Sequence, residues 1–108
     1  MLDGLFSLSG KVCLITGGSR GRGFYMAKAF LQAGAQRVYS TARKAEACTE
    51  AARELARFGD CIALPGDIST MDEINSLAAT LTARESRLDV LVNNAGCGWL
   101  EPFASFSE

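Results

Sequence analysis

The clearest chemistry in the chain lies in one stretch, Thr16-Gly17-Gly18-Ser19-Arg20-Gly21-Arg22-Gly23. Its composition suits a backbone cradle for an anion. Gly17 would let the chain leave a strand in a tight turn, and Gly21 would permit close approach of backbone to a pyrophosphate. Gly23 would let the following helix pack closely on a sheet. The free N–H groups and positive dipole end of that helix would then face the anion. Ser19, Arg20 and Arg22 are counted with the glycines as candidate contacts. The competing reading is a glycine-rich turn that binds nothing. Against it, three glycines cost chain entropy that a plain turn does not need. A triphosphate loop would need Gly-Lys-Ser/Thr at its end, whereas Gly23 is followed by Phe24. The commoner dinucleotide spacing, Gly-x-Gly-x-x-Gly, is also not matched; the spacing here is Gly-x-x-x-Gly-x-Gly.

Positioning such a turn requires a strand before it and a helix after it, and the hydrophobic pattern supplies both. Residues 12–16 form a compact apolar run suited to a strand buried on both faces. Residues 24–34 follow as a helix with Met26, Ala27, Phe30 and Leu31 on one face and Gly34 as its stop. Residues 38–41 read as a second strand. Residues 44–58 read as an alanine-rich helix with Cys48, Ala52 and Leu55 at helical spacing. A third strand at 61–64 is stopped by Pro65-Gly66. Ser69 and Asp72 then offer a capping box, with Thr70 and Glu73 one register on as an alternative. The helix they open carries Ile74, Leu77, Ala78 and Leu81 at i, i+3, i+4, i+7. A fourth strand at 90–92 runs into Asn93-Asn94-Ala95-Gly96. Strand–helix alternation with right-handed crossovers gives a Rossmann-type doubly wound α/β parallel sheet, first half only, with four strands and three helices.

Composition excludes several classes. The 108 residues are one domain's worth, 48% hydrophobic and 21% charged, as in an ordinary globular chain. A net charge of −1 supplies neither a basic stripe for nucleic acid nor a polybasic membrane anchor. Cys13, Cys48, Cys61 and Cys97 form no Cys-x-x-Cys pair, and the chain has no histidine. They are therefore expected as reduced, mostly buried thiols and not as metal ligands. No leader pattern and no apolar run of about 20 residues is present, so the expected location is cytoplasmic.

Thr16-Gly-x-x-x-Gly-x-Gly23 together with Asn93-Asn94-Ala95-Gly96 resembles the short-chain dehydrogenase/reductase family. The segments at 5–12 and 42–48 are similar to its 3-oxoacyl-[acyl-carrier-protein] reductase-like branch, which includes rhamnolipid-biosynthesis reductases and gluconate 5-dehydrogenase-like enzymes. The resemblance covers about residues 5 to 107. It implies an NADP- or NAD-dependent oxidoreductase acting on a small-molecule carbonyl or alcohol, such as a 3-oxoacyl thioester, and a complete enzyme that is a homo-oligomer. One departure sits in the turn. The family usually has an aliphatic residue between the last two glycines, and this chain has Arg22, which would either contact the pyrophosphate or crowd the pocket.

An NAD-preferring site usually places an acid at the end of the second strand, on the ribose 2′-hydroxyl. Here no acid occurs there before Glu46. Arg43 could instead pair with a 2′-phosphate, aided by Lys44 and the hydroxyls of Ser40 or Thr41. Arg20 stands where NADP-preferring relatives carry a basic residue, so NADP is favoured over NAD. The blander reading makes Arg43 and Lys44 the solvated start of a helix. By the same resemblance, Asp67 would accept from the adenine amine and Ile68 would line the base, unless Asp67 merely builds the turn before the next helix. Asn94, Ala95 and Gly96 would run past the cofactor riboses, with Asn93 supporting the strand. The family's catalytic Tyr-x-x-x-Lys is not found. Tyr25 precedes Lys28 by three residues, and Tyr39 has no lysine at plus four. No catalytic residue is therefore assigned, and residues 1–108 are expected to be the cofactor-binding N-terminal part of a single domain, inactive alone, whose catalytic part is absent. A non-catalytic NADP-binding module is the alternative.

Overall fold

The computed structural model describes residues 8–17 and 21–94. Four strands and three helices alternate: β1 (Val12–Thr16), α1 (Gly21–Gln32), β2 (Arg37–Thr41), α2 (Ala45–Leu55), β3 (Cys61–Ala63), α3 (Met71–Arg84) and β4 (Val90–Asn93). The strands form one parallel sheet in the order β3-β2-β1-β4. The order reverses after β3, so α1 and α2 cover one face and α3 crosses back over the other. This is the expected half of a doubly wound sheet.

β1 is buried along its whole length because it is central and covered on both faces. Cys13 and Ile15 join Val38, Ala27, Leu31 and Leu55 in the cluster under α1 and α2. Val12 and Leu14 join Tyr39 on the opposite face, where Leu77 and Leu81 of α3 pack. Cys13 and Cys48 are buried and Cys61 partly so, all as free thiols. Burial raises all three thiols, Cys13 and Cys61 to about 11, so they pack as small hydrophobes and are poor nucleophiles. Cys97 lies outside the described residues. No helix among the described residues is long and apolar enough to cross a membrane.

Two local expectations shift and one is decided. α1 begins at Gly21, inside the glycine motif, where 24 was expected, so the last two glycines form its first turn. The cap of α3 is Thr70, whose hydroxyl accepts from the Glu73 N–H at 3.2 Å. This is the second of the two expected registers, and Ser69 belongs to the turn before the helix, its N–H held by the Asp67 carboxylate at 3.0 Å. The expected four-residue face of α3 is also only half used. Leu77 and Leu81 touch the core, but Ile74 is 38% exposed and no residue of the helix is fully buried. A pocket of about 130 Å³ lies beside α3, lined by Thr41 at the end of β2 and by Glu73, Ser76, Leu77 and Thr80 of the helix.

The strand starts are bolted by charge. Arg37 pairs with Asp60 at 2.8 Å and with Glu85 at 2.5 Å, and the Tyr39 hydroxyl donates to the same Glu85 oxygen. Asp89 accepts from the Val12 N–H at 2.8 Å and from Arg87, which also donates to the Gly10 carbonyl. These bonds settle the register of β2, with Arg37 opposite Val12.

Candidate functional site

The strand ends at the opposite edge converge on the glycine turn. Gly17 takes a φ of +68°, where a side chain is disfavoured, and its N–H donates to the Thr41 carbonyl at 2.7 Å. Gly21 opens α1 at φ +62°, and a β-carbon added there would meet nothing within 4 Å among the described residues. The backbone at the helix N-terminus is thus open on that side.

Gly23 is the opposite case. A β-carbon there would lie 2.3 Å from the Gly17 carbonyl oxygen and 2.6 Å from Asn94 Nδ2. Gly23 is therefore what lets α1 seat against the turn and against the end of β4. The helix carries no acid in its first turn, so nothing there offsets its positive end. Arg22 lies exposed in that first turn with no ion pair among the described residues. A cation there opposes the helix dipole, an arrangement that an anion at the same end would relieve.

The turn is tied to β4 by a short relay. The Thr16 hydroxyl donates to Asn93 Oδ1 at 3.0 Å and accepts from the Asn94 N–H at 2.7 Å. Asn94 Nδ2 then reaches the Gly17 carbonyl at 3.4 Å. Sequence reasoning placed Asn94 at the site and Asn93 in support but missed Thr16. The available signal was a lone hydroxyl closing an otherwise apolar strand.

Arg43 and Lys44 follow the buried end of β2, and both are exposed. Lys44 occupies the cap position of α2 and makes no side-chain capping bond. Both cations stand in solvent at the same sheet edge as the glycine turn. Asp67 is held below the usual carboxylate range, first by its hydrogen bonds from Ser69, with the Arg43 charge a smaller cause. Asp67 therefore helps build the turn, a role that does not preclude accepting from a ligand amine, and its charged form is favoured. Ile68 is half-buried and lines the cavity. Ser19, Arg20, Ala95 and Gly96 lie outside the described residues. Among the described residues no group of three or more Cys, Asp or Glu is placed to hold a metal ion.

The described site is a glycine turn seated by Gly23, tied to an Asn-Asn strand end, with Arg43 and Lys44 exposed at the same sheet edge. Residues 11–108 match the short chain dehydrogenase family model. The chain belongs to the short chain dehydrogenase family. It is 50% identical over 94 residues to the rhamnolipids biosynthesis 3-oxoacyl-[acyl-carrier-protein] reductase of Pseudomonas aeruginosa, covering 87% of this chain and 36% of that protein. Among solved structures it resembles the Pseudomonas aeruginosa RhlG/NADP active-site complex, with a TM-score of 0.81 at 49% identity, over 84% of this chain and 36% of that one. A metagenomic short-chain oxidoreductase in complex with NADP matches with a TM-score of 0.77 at 43% identity, over 85% and 42%. The chain thus spans little more than a third of the length of its 50%-identical relative.

Proposed function

We propose that this chain forms the cofactor-binding part of an NADP-dependent oxidoreductase acting on a carbonyl or alcohol, with a 3-oxoacyl thioester as the substrate class. The observation that carries the reading is the pairing of two opposite glycines. Gly23 admits no side chain because the turn packs on it, while Gly21 is open where a pyrophosphate would approach. The residues fit the group. Gly17, Gly21, Gly23 and the α1 N-terminus would hold the pyrophosphate, with Ser19, Arg20 and Arg22 adding donors from the same turn. Arg43 and Lys44 would hold the 2′-phosphate. Asp67 and Ile68 would take the adenine, and Asn94, Ala95 and Gly96 would line the riboses.

When bound, NADP would supply or accept the hydride. The chain's own residues bind and orient it; the 108 residues contain no Tyr-x-x-x-Lys to exchange a proton with substrate. The 50%-identical relative is named a 3-oxoacyl-[acyl-carrier-protein] reductase, and two similar solved structures are NADP complexes, which supports both cofactor and substrate class. The family resemblance further supports a homo-oligomeric, cytoplasmic full-length enzyme.

Calorimetric titration of the full-length protein with NADP and NAD tests the reading, together with Arg43→Asp. The variant should lose NADP affinity by about tenfold or more while NAD changes little, since a bidentate charged contact is removed from one ligand alone. Equal loss for both cofactors would remove Arg43 from the phosphate site.

A further inference from the structure

Pairing between β2 and β3 does not stop where the strands do. The Leu64 N–H donates to the Ser40 carbonyl and the Gly66 N–H to the Ala42 carbonyl, both at 2.9 Å. The Thr41 carbonyl between them turns the other way and accepts from the Gly17 N–H at 2.7 Å. Pro65 has no N–H to give, and it falls between the two donors, where its nitrogen faces the open side of the edge strand. The ladder therefore gains two rungs beyond Ala63, and Gly66 to Ala42 is the outer one.

That rung stands at the root of both loops assigned to the adenosine end of the cofactor. Arg43 follows Ala42 directly, and Asp67 follows Gly66 directly. One backbone bond thus sets the two loops at the spacing of neighbouring strands, about 4.8 Å. Arg43 and Lys44 are exposed and form no ion pair among the described residues, so no salt bridge spaces the loops instead. On the α3 side, the Asp67 N–H reaches Glu73 Oε1 at 3.4 Å in an exposed setting, too long a bond to hold the loop. Asp67 is kept charged first by its hydrogen bonds from Ser69, and the Arg43 charge adds to them, as expected of groups on adjoining loops.

We propose that Gly66 is a positioning residue for the 2′-phosphate and adenine of the cofactor: its N–H bond to the Ala42 carbonyl holds the Arg43 and Asp67 loops at one spacing, so that phosphate and base are read together. The inference rests on the cofactor reading above. It adds that the hold on a phosphorylated ribose depends on a backbone rung as well as on the cations. Gly66 acts without touching the ligand. Its N–H matters and its lack of a side chain does not. A β-carbon there would lie 3.3 Å from Glu73 Oε1, the end of an exposed side chain that can give way.

The test uses the full-length protein with two half-cofactor probes, adenosine 2′,5′-bisphosphate and nicotinamide mononucleotide, and thermal unfolding alongside. Gly66→Pro removes the rung, whereas Gly66→Ala keeps it. Gly66→Pro should weaken the bisphosphate about three- to tenfold, the worth of one modest hydrogen bond, and leave the mononucleotide within about twofold. Gly66→Ala should leave both probes within about twofold of wild type. Arg43→Ala should cost at least about threefold less bisphosphate affinity in the Gly66→Pro background than in wild type, because an Arg43 already displaced has less to lose. In the wild-type protein, saturating bisphosphate should slow exchange of the Gly66 amide at least about threefold and the mononucleotide should not, since a ligand that uses the rung stabilises it. That measurement decides the matter even where the proline variant does not fold. Unchanged bisphosphate binding by Gly66→Pro would overturn the proposal. So would equal loss of both probes, an alanine variant as weak as the proline one, an undiminished Arg43→Ala effect, or Gly66 exchange indifferent to the bisphosphate. Where the wild-type protein binds NADP, any of these outcomes sinks the rung alone. A wild-type protein that binds neither NADP nor the bisphosphate sinks the cofactor reading and the rung with it.

Discussion

Replacing Gly23 with alanine tests the architecture of the site most directly. The added methyl would stand 2.3 Å from the Gly17 carbonyl oxygen and 2.6 Å from Asn94 Nδ2, far inside van der Waals contact. Gly17 is itself held by its N–H bond to Thr41, so the turn cannot simply retreat. α1 must move off it, or Asn94 must swing away and give up its bond to Gly17. Overpacking of this kind costs about 1–3 kcal/mol. Against it, alanine in a helix is favoured over glycine by about 1 kcal/mol. The net expectation is a destabilisation of about 0–2 kcal/mol. In a chain of about 100 residues, each kcal/mol lost lowers the melting temperature by roughly 4–8 °C. The effect on ligand should be larger than the effect on stability. Displacing the α1 N-terminus misdirects every N–H aimed at the pyrophosphate at once, so NADP affinity should fall by well over tenfold. Calorimetric titration and thermal unfolding of the same preparation read both quantities. Unchanged melting with NADP affinity within twofold of wild type would refute the close packing that gives Gly23 its role.

Gly21→Ala makes the contrasting case: it meets no atom, yet the positive φ costs about 1–2 kcal/mol, so stability should fall without a clash to relieve. Thr16→Val should lower the unfolding free energy by about 1–3 kcal/mol in urea, because it strips the Asn94 N–H of its acceptor in a partly buried setting; an unchanged midpoint would mean that water replaces the hydroxyl. The charged belt predicts acid sensitivity. Glu85 is held below its usual range first by the Tyr39 hydroxyl and then by Arg37, and Asp89 first by the Val12 N–H. Their folded values lie below the unfolded ones, so their stabilisation is present above the ordinary carboxylate range, about pH 4, and is lost as pH falls through the folded values. Urea midpoints measured from pH 7 to pH 3 should drop in that window, and Glu85→Gln should flatten the drop; a variant with the wild-type slope would exclude Glu85 as a contributor.

Most of the fold was legible because its signals are local. Four apolar residues at 12–15 announce a strand buried on both faces, and Ala27, Leu31, Cys48, Ala52 and Leu55 sit where helical spacing puts them. What escaped depends on partners distant in sequence. Arg37 looks like loop but begins β2, because Asp60 and Glu85 reach it from 23 and 48 residues away. Of the two capping registers the spacing offered for α3, the Thr70–Glu73 one forms while Ser69 turns with Asp67, a choice that spacing alone does not rank. Ile74 fits the apolar period of α3, yet it is 38% exposed, while Leu77 and Leu81 pack on the core. In the site, the glycine spacing was visible, but its cause was not.

That cause changes what the motif is. A glycine count describes a flexible turn, whereas here the turn is closed from outside by residues some 77 positions later. Thr16 joins the end of β1 to Asn93 and Asn94, and Asn94 returns to the Gly17 carbonyl beside Gly23. The cradle therefore forms only once β4 has paired with β1, since before that the Gly17 carbonyl lacks the Asn94 amide and α1 has no wall to seat against. Anion binding and β1–β4 pairing are linked in consequence. A ligand that favours the closed turn must stabilise the β4 pairing by the same free energy, and weakening that pairing must weaken the ligand. The glycines permit the cradle, and the asparagines at the end of β4 decide when it exists.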